Sequence, residues 1–146
     1  MKNSINIKLY NEFIQFNLRR YNERFKKFNL NPKTLGWDKR SNQRYRFQKA
    51  IEIVKIKNNS ILDLGCGLGD FLIFLNEKNI KYKSFAGVDI NSSFNASCLY
   101  RFPKNKFFVN DFMSIAKINT KYDYIFAFGL INLKYKNFVN FNYLKK

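Results

Sequence analysis

The residues most suited to binding a ligand form a glycine-rich turn between an apolar strand and a helix. The chain reads Ile61-Leu62-Asp63-Leu64-Gly65-Cys66-Gly67-Leu68-Gly69-Asp70-Phe71. Alternating glycines allow a tight turn and leave no Cβ between the backbone and a ligand, while a helix start attracts a carboxylate or phosphate. The spacing is G-x-G-x-G, because Asp70 stands where the third glycine of the G-x-G-x-x-G pattern of nicotinamide enzymes would fall. A glycine-rich turn without a ligand is the simpler alternative.

Two further acidic residues follow apolar runs later in the chain. Asp89 ends the run 85–89, which places it 24 residues after Gly65, and Asp111 follows the run 106–109. In an open parallel sheet, ligands bind beyond the carboxyl ends of the strands, so these acids are candidates for one shared site. A solvated carboxylate at a strand end is the alternative for either acid. Asp63 lies inside a predicted strand, where an unpaired charge is costly.

The elements that must position these residues alternate between strands and helices from residue 58 onward. The apolar runs 61–64, 85–89, 106–109 and 122–128 predict strands, and 70–79 and 92–101 predict helices. This alternation predicts an α/β fold with an open, Rossmann-like parallel sheet of about four strands.

The first third of the chain is predicted to be helical and to precede the sheet. A first helix has an apolar face at helical spacing, and it ends before Pro32; that face contains Ile14, Leu18, Tyr21, Phe25 and Phe28. A second helix is predicted to begin with Ser41 as its N-cap.

Four motifs in this order resemble those of class I S-adenosylmethionine-dependent methyltransferases. The glycine turn resembles motif I, which wraps the methionyl end and ribose of the cofactor. Gly87-Val88-Asp89-Ile90 resembles the segment whose acid binds the ribose hydroxyls. Val109-Asn110-Asp111-Phe112 resembles the segment that binds adenine, and the run 122–129 resembles the strand whose end faces the transferred methyl group.

The resemblance implies S-adenosylmethionine as the cofactor and a set of residues that contact it. Cys66 is interpreted as a small loop residue rather than a nucleophile, because no base stands beside it. The implied cofactor-binding residues are Asp63, Gly65, Cys66, Gly67, Asp89, Ile90, Asp111, Phe112 and Phe128. More loosely, Leu35-Gly36-Trp37 with Ser41, Gln43, Arg46 and Phe47 is similar to the segment that covers the cofactor and the acceptor pocket in small-molecule enzymes of the family.

Composition limits the other chemistry that this chain can perform. Its 146 residues are 46% apolar, which fits one domain with a core. It has no histidine and two cysteines, which excludes imidazole-based catalysis and a disulfide framework and makes a zinc site improbable. The first residues contain no apolar run typical of a signal sequence, so a cytoplasmic protein is expected. No catalytic base is assigned.

Two kinds of methyl acceptor fit the sequence. Within the family that the chain resembles, enzymes that methylate exocyclic amines of adenine or cytosine typically carry an Asn/Asp-Pro-Pro-aromatic motif after the fourth strand. This chain has no proline after Pro103 and therefore lacks that motif. A small-molecule acceptor methylated on oxygen is therefore predicted. The alternative is RNA or DNA, because the net charge is +17 and residues 19–49 contain eleven Lys and Arg among aromatic residues. The 20 lysines and 21 asparagines also fit the bias of AT-rich coding sequence.

The chain departs from the family in the number of strands, since the family's sheet normally has seven. We expect a helical segment over 1–57, the cofactor-binding half over 58–131 and a short tail over 132–146. The fourth strand would then present an unpaired edge, which the tail, a second copy or a partner would cover. A methyltransferase-like remnant without an acceptor pocket is a third hypothesis.

Overall fold

A parallel sheet of four strands forms the centre of the computed structural model, which describes residues 2–111, 120–130, 134–135 and 138–139. The strands lie in the order β3-β2-β1-β4, and Asp63 of β1 lies between Gly87 of β2 and Phe126 of β4. This arrangement confirms the predicted Rossmann-like sheet. The strands are β1 (Ser60–Leu64), β2 (Ser84–Asp89), β3 (Lys106–Val109) and β4 (Tyr124–Phe126).

Four α-helices and one 3₁₀ helix surround the strands in the described residues. They are α1 (Lys2–Phe28), the 3₁₀ helix (Pro32–Leu35), α2 (Arg40–Ile53), α3 (Asp70–Glu77) and α4 (Ser92–Arg101). A separate antiparallel pair, β5 (Lys134–Tyr135) and β6 (Phe138–Val139), lies within the segment expected to be a tail. None of the helices in the described ranges is long and apolar enough to cross a membrane.

Three element boundaries differ from the predictions. The prediction that Ser41 caps α2 is wrong: Lys39 occupies the N-cap position and no side chain caps the helix. Helix α3 ends at Glu77, and Asn79 adopts a left-handed φ of 53° two residues later. Strand β4 covers only Tyr124–Phe126 of the predicted run 122–128; just before it, the Asp123 side chain accepts hydrogen bonds from the N–H and hydroxyl of Ser60, at 2.7 and 2.6 Å.

An aromatic core joins α2 and α3 to the sheet. Phe71 of α3 is 1% exposed, and the ring centroids of Phe47, Phe126 and Phe128 lie 5.2, 4.9 and 4.8 Å from its own. Aromatic pairs in such offset and edge contacts add to the stabilisation from burial. Phe47 thereby fixes α2 against the carboxyl end of β4.

Helix α1 packs against the start of α4, the helix that follows β2. The rings of Tyr21 and Phe25 meet Phe94 edge-on, with centroids 6.1 and 5.4 Å away. Asn91, the N-cap of α4, donates a hydrogen bond from its side chain to the Asn22 side chain at 2.8 Å. Tyr21 and Phe25 therefore pack against α4 rather than facing solvent, as the helical spacing predicts.

Asparagine occupies three left-handed positions where elements end or turn. Asn29 follows α1 with φ 50°, Asn58 precedes β1 with φ 64°, and Asn79 follows α3 with φ 53°. Asparagine tolerates this region better than other residues that carry a Cβ. The turn after α1 is completed by Thr34, whose hydroxyl donates to the Asn29 carbonyl at 2.6 Å.

Candidate functional site

A cavity of about 340 Å³ lies at the carboxyl ends of β1, β2 and β4. Helices α1 and α2 and the 3₁₀ helix supply the wall opposite the strand ends. This size and this position at the strand ends are typical of cofactor sites in open α/β sheets.

The glycine turn forms one side of the cavity and is held against β2. The N–H groups of Gly65 and Cys66 both donate to the Val88 carbonyl, at 2.8 and 3.0 Å. Gly67 has φ 54°, and a Cβ there would lie 2.8 Å from the Leu35 side chain. Only glycine meets both conditions without displacing the 3₁₀ helix. Arg101 of α4 adds a hydrogen bond to the Leu68 carbonyl at 2.9 Å.

Asp89 is held by backbone donors on both of its carboxylate oxygens. One oxygen accepts from the N–H of Gly67 and the other from the N–H of Asn91, each at 2.9 Å. Burial raises the pKa of Asp89, and these N–H groups oppose that rise by stabilising the carboxylate. Each carboxylate oxygen has a second acceptor position, so Asp89 retains acceptor capacity toward the cavity that it lines.

Three carboxyl groups, those of Asp63, Asp70 and Asp89, share the cavity wall. Asp63 is 3% exposed. Its pKa is raised well above the ordinary value, first by burial and then by the charges of Asp89 and Asp70. Asp70 accepts a hydrogen bond from the Gln43 side chain at 2.8 Å. In the described ranges no three metal-ligating side chains are grouped as a metal site.

Cys66 and Cys98 lie side by side behind the glycine turn, and both are buried free thiols. The Cys98 thiol lies 3.5 Å from the Gly67 carbonyl oxygen. A hydrogen bond with Cys98 and burial together raise the pKa of Cys66 well above its usual value. A thiol held in its neutral form is a poor nucleophile, which agrees with the interpretation of Cys66 as a loop residue.

Most of the residues proposed from the sequence line this one cavity. Asp111 does not; the preceding Asn110 lines the wall, and its side chain accepts from the Asp111 N–H at 3.0 Å. Phe112 lies outside the described residues. The proposed residues that do line the cavity are Asp63, Gly65, Cys66, Gly67, Asp89, Ile90 and Phe128.

The sequence reasoning did not assign residues of α1 to the site. The one available signal is Asn17, a polar residue on the apolar face of the helix; it is 2% exposed and donates to the Phe13 carbonyl at 2.9 Å. Which face of α1 covers the cavity depends on its packing against α4, and helical spacing carries no such information. The α1 residues on the wall are Phe13, Ile14, Asn17, Arg20 and Tyr21.

Comparison with known proteins identifies the family. A family model described as a methyltransferase domain matches residues 38–133, well over half of the chain. The chain belongs to this family. A relative from Mycobacterium tuberculosis, named "Putative methyltransferase Rv1506c", is 32% identical over 78 residues. That alignment covers 53% of this chain and 45% of the relative, so this methyltransferase domain spans under half of the relative's length.

Solved structures of low identity share the fold. The cyclopropane synthase MmaA2 from M. tuberculosis superposes with a TM-score of 0.52 at 16% identity, over 62% of this chain and 32% of that one. DesVI from Streptomyces venezuelae gives a TM-score of 0.50 at 18% identity, over 63% of this chain and 39% of that one. These likenesses support the Rossmann-like methyltransferase fold.

Family membership confirms two predictions made from the sequence. The chain is a methyltransferase domain of the S-adenosylmethionine-dependent type, and S-adenosylmethionine is the cofactor of its family. The description of the family does not specify the acceptor. It has to be argued from the site.

Proposed function

We propose that this chain binds S-adenosylmethionine in the cavity and transfers the methyl group to an oxygen atom of a small-molecule acceptor. The observation that carries the proposal is the acidic wall formed by Asp63, Asp70 and Asp89 beside the glycine turn. S-adenosylmethionine carries a sulfonium and an ammonium group, and a cation near this wall would offset the burial, and the repulsion by Asp89 and Asp70, that raise the pKa of Asp63.

Each proposed contact uses a group whose chemistry fits the cofactor. Asp89, fixed by two backbone N–H groups, is proposed to accept hydrogen bonds from the ribose hydroxyls. Gly65 and Gly67 leave room for the methionyl chain, and Asp63 is proposed to face its ammonium group. On the resemblance alone, Ile90, Cys66, Asp111, Phe112 and Phe128 complete the proposed set.

When bound, S-adenosylmethionine supplies an electrophilic methyl group on its sulfonium. The protein's own part in such a displacement is to hold the two reactants in line and to exclude water, and much of the acceleration comes from this positioning. Phe47, Phe71 and Phe128 form an apolar wall suited to both tasks.

The cover over the strand ends favours a small acceptor. We propose residues 1–57 as this cover, because α1 and α2 supply the wall that faces the glycine turn. An acceptor must enter a cavity of about 340 Å³, which admits a small metabolite or sugar derivative more readily than a folded polymer. The run Phe128-Gly129-Leu130 after β4 contains no proline, so it does not resemble the Asn/Asp-Pro-Pro-aromatic motif of amine-methylating enzymes.

Titration calorimetry with S-adenosylhomocysteine tests the cofactor site. We expect micromolar binding by the intact chain and a loss of at least about tenfold in Asp89→Asn, which removes a charge-assisted acceptor. Glu77→Gln is the control, because it removes an exposed carboxylate of α3 that pairs with Arg44 outside the cavity. A folded chain that does not bind, or an equal loss in both variants, contradicts the proposal; the first result supports the remnant hypothesis.

A further inference from the structure

An arginine and a tryptophan form a pair on the cavity wall that the proposed cofactor contacts do not use. The guanidinium carbon of Arg46 lies 4.9 Å from the centroid of the Trp37 ring, and both residues line the cavity. The ion pairs found among the described residues are Arg44 with Glu77 and Lys49 with Glu52. Arg46 therefore lines the cavity with no carboxylate partner in the part of the chain that is described.

Arg46 belongs to the same stretch of α2 as Phe47, which ties that helix to the β4 end of the cavity. The Phe47 ring packs edge-on against Phe128 just beyond β4, with centroids 4.8 Å apart. Arg20, the other arginine on the wall, belongs instead to α1, whose Tyr21 packs against Phe94 beyond β2.

The position of α2 next to β4 assigns the pair to the acceptor, and this assignment rests on the proposed function. The cofactor is proposed to run from Asp89 at β2 to Gly65 and Asp63 at β1, and β4 is the next strand in the sheet. The β4 end is therefore the part of the cavity that remains for a second reactant.

We infer that Arg46 and Trp37 bind an anionic group of the acceptor, a carboxylate or a phosphate monoester. A guanidinium is always charged and presents a planar fork of donors that matches both groups. The indole face holds that fork in place through a cation–π contact and adds apolar surface. The acceptor is thus a small anion whose oxygen to be methylated lies on the cavity side of its charged group.

Trp37 also provides the readout, because it is the only tryptophan of the chain. Phenyl phosphate and benzoate are titrated separately into the protein saturated with S-adenosylhomocysteine, and again without it, while tryptophan fluorescence is recorded. We expect a saturable change with at least one anion and none with neutral benzyl alcohol. In Arg46→Gln the affinity should fall by at least about tenfold, since a charge-assisted bidentate contact is lost. Whether phosphate or benzoate binds more tightly identifies the charged group.

Arg40→Gln is the matched control, because Arg40 is an exposed arginine of the same helix that does not line the cavity. Equal losses in Arg40→Gln and Arg46→Gln, or a fluorescence change produced only by a single-stranded oligonucleotide, overturn the inference. So does an Arg46→Gln protein that loses affinity for S-adenosylhomocysteine but keeps that for 5′-methylthioadenosine, since Arg46 would then bind the cofactor's carboxylate. Failure of the cofactor site itself is seen separately, as absent S-adenosylhomocysteine binding, and the titration without cofactor still tests the pair.

Discussion

The buried carboxyl group of Asp63 is expected to lower the stability of the ligand-free protein and to favour binding of a cationic ligand. Its pKa is raised in the folded chain by burial and by Asp89 and Asp70, so the folded state binds its proton more tightly than the unfolded state does. Stability from this group is fully present below the pKa of the unfolded chain and is lost as the pH rises through the folded pKa. Above the pKa of the unfolded chain this buried carboxyl group therefore lowers the stability of the empty site, and the cationic cofactor proposed above would favour its ionised form.

We predict that Asp63→Asn raises the melting temperature of the ligand-free protein at neutral pH and weakens S-adenosylhomocysteine binding. The amide keeps the shape of the side chain and removes the buried charge. Melting curves from about pH 4 to neutral pH check the sign, because the advantage of the variant should grow as the pH rises above the pKa of the unfolded chain, where the unfolded carboxyl group loses its proton more readily than the folded one. Asp38→Asn, at an exposed acid, should leave the profile unchanged. A variant less stable than the wild type at neutral pH would show that the carboxylate is stabilising instead.

Gly67 and Gly36 offer a matched pair for testing the glycine turn. Both have positive φ, at 54° and 88°, but a Cβ on Gly67 meets Leu35 at 2.8 Å whereas one on Gly36 meets nothing within 4 Å. We predict that Gly36→Ala costs about 1–2 kcal/mol of unfolding free energy, from backbone strain alone. Gly67→Ala should cost more and also weaken S-adenosylhomocysteine binding. Chemical denaturation and calorimetry measure the two effects; equal costs would mean that Leu35 moves aside freely.

At the level of elements, one buried hydrogen bond ties the cover to the sheet. Gln43 of α2 is 3% exposed and donates to Asp70, the first residue of α3, at 2.8 Å. The bond spans the boundary between the helical segment and the glycine turn. It also holds a carboxylate of the acidic wall in a single orientation.

We predict that Gln43→Ala lowers the unfolding free energy by about 1–3 kcal/mol, because it leaves the buried Asp70 carboxylate without that donor. Gln48→Ala is the control on the same helix; its side chain donates to Glu52 at an exposed position, so its effect should stay within about 0.5 kcal/mol. Urea denaturation of both variants provides the measurement. Equal effects would show that the Asp70 contact contributes nothing of its own.

The sequence predicts those elements whose signals are local. Apolar runs locate the four strands to within a few residues, and the glycines at 65, 67 and 69 locate the turn because a tight strand-to-helix connection needs them. Gly65 and Gly67 follow from the glycine turn and Asp89 from its place at a strand end, whereas Asp63 and Ile90 are implied by the family resemblance. All five line the cavity.

What the sequence does not predict depends on contacts between distant residues. The contact of Asn22 with Asn91 joins residues 69 positions apart, and nothing in α1 itself specifies that partner. The 3₁₀ helix is held by the Arg24 side chain, which donates to the carbonyls of Lys33 and Thr34. Strand β4 is shorter than its apolar run, and the contact of Asp123 with Ser60 joins residues 63 positions apart.

For the molecule as a whole, the net charge of +17 raises the question of a nucleic-acid partner. Packing answers part of it: Tyr21 and Phe25 face Phe94 and offer no stacking surface. Tyr45 of α2 is the aromatic of this basic segment that is most accessible among the described residues, at 63% exposed. Basic charge with one accessible ring attracts polyanions but lacks the series of stacking surfaces that bind successive bases.

We predict that single-stranded RNA binds at low salt only, with an affinity that falls steeply and log-linearly as salt rises, because the attraction is counterion release. Tyr45→Ala should not change the affinity, since no base stacks on this ring. Tyr100→Ala, at an 89% exposed ring on α4, is the control. Fluorescence anisotropy across a salt series measures both. Binding that persists at physiological salt and falls only in Tyr45→Ala would favour the nucleic-acid alternative.

The three left-handed asparagines bear on how a chain with an AT-rich coding sequence would keep its tight turns. Asparagine is encoded by AT-rich codons and glycine by GC-rich ones, and this chain has 21 of the first and 6 of the second. Because asparagine is the next most tolerant residue at positive φ, drift toward AT can replace glycine at 29, 58 and 79 without opening those turns. At Gly67 a Cβ would also press on the Leu35 side chain, at 2.8 Å, so a residue that tolerates the backbone angle does not by itself fit there. This turn needs glycine for space as well as for its backbone conformation, whereas at Gly36 only the backbone conformation calls for it.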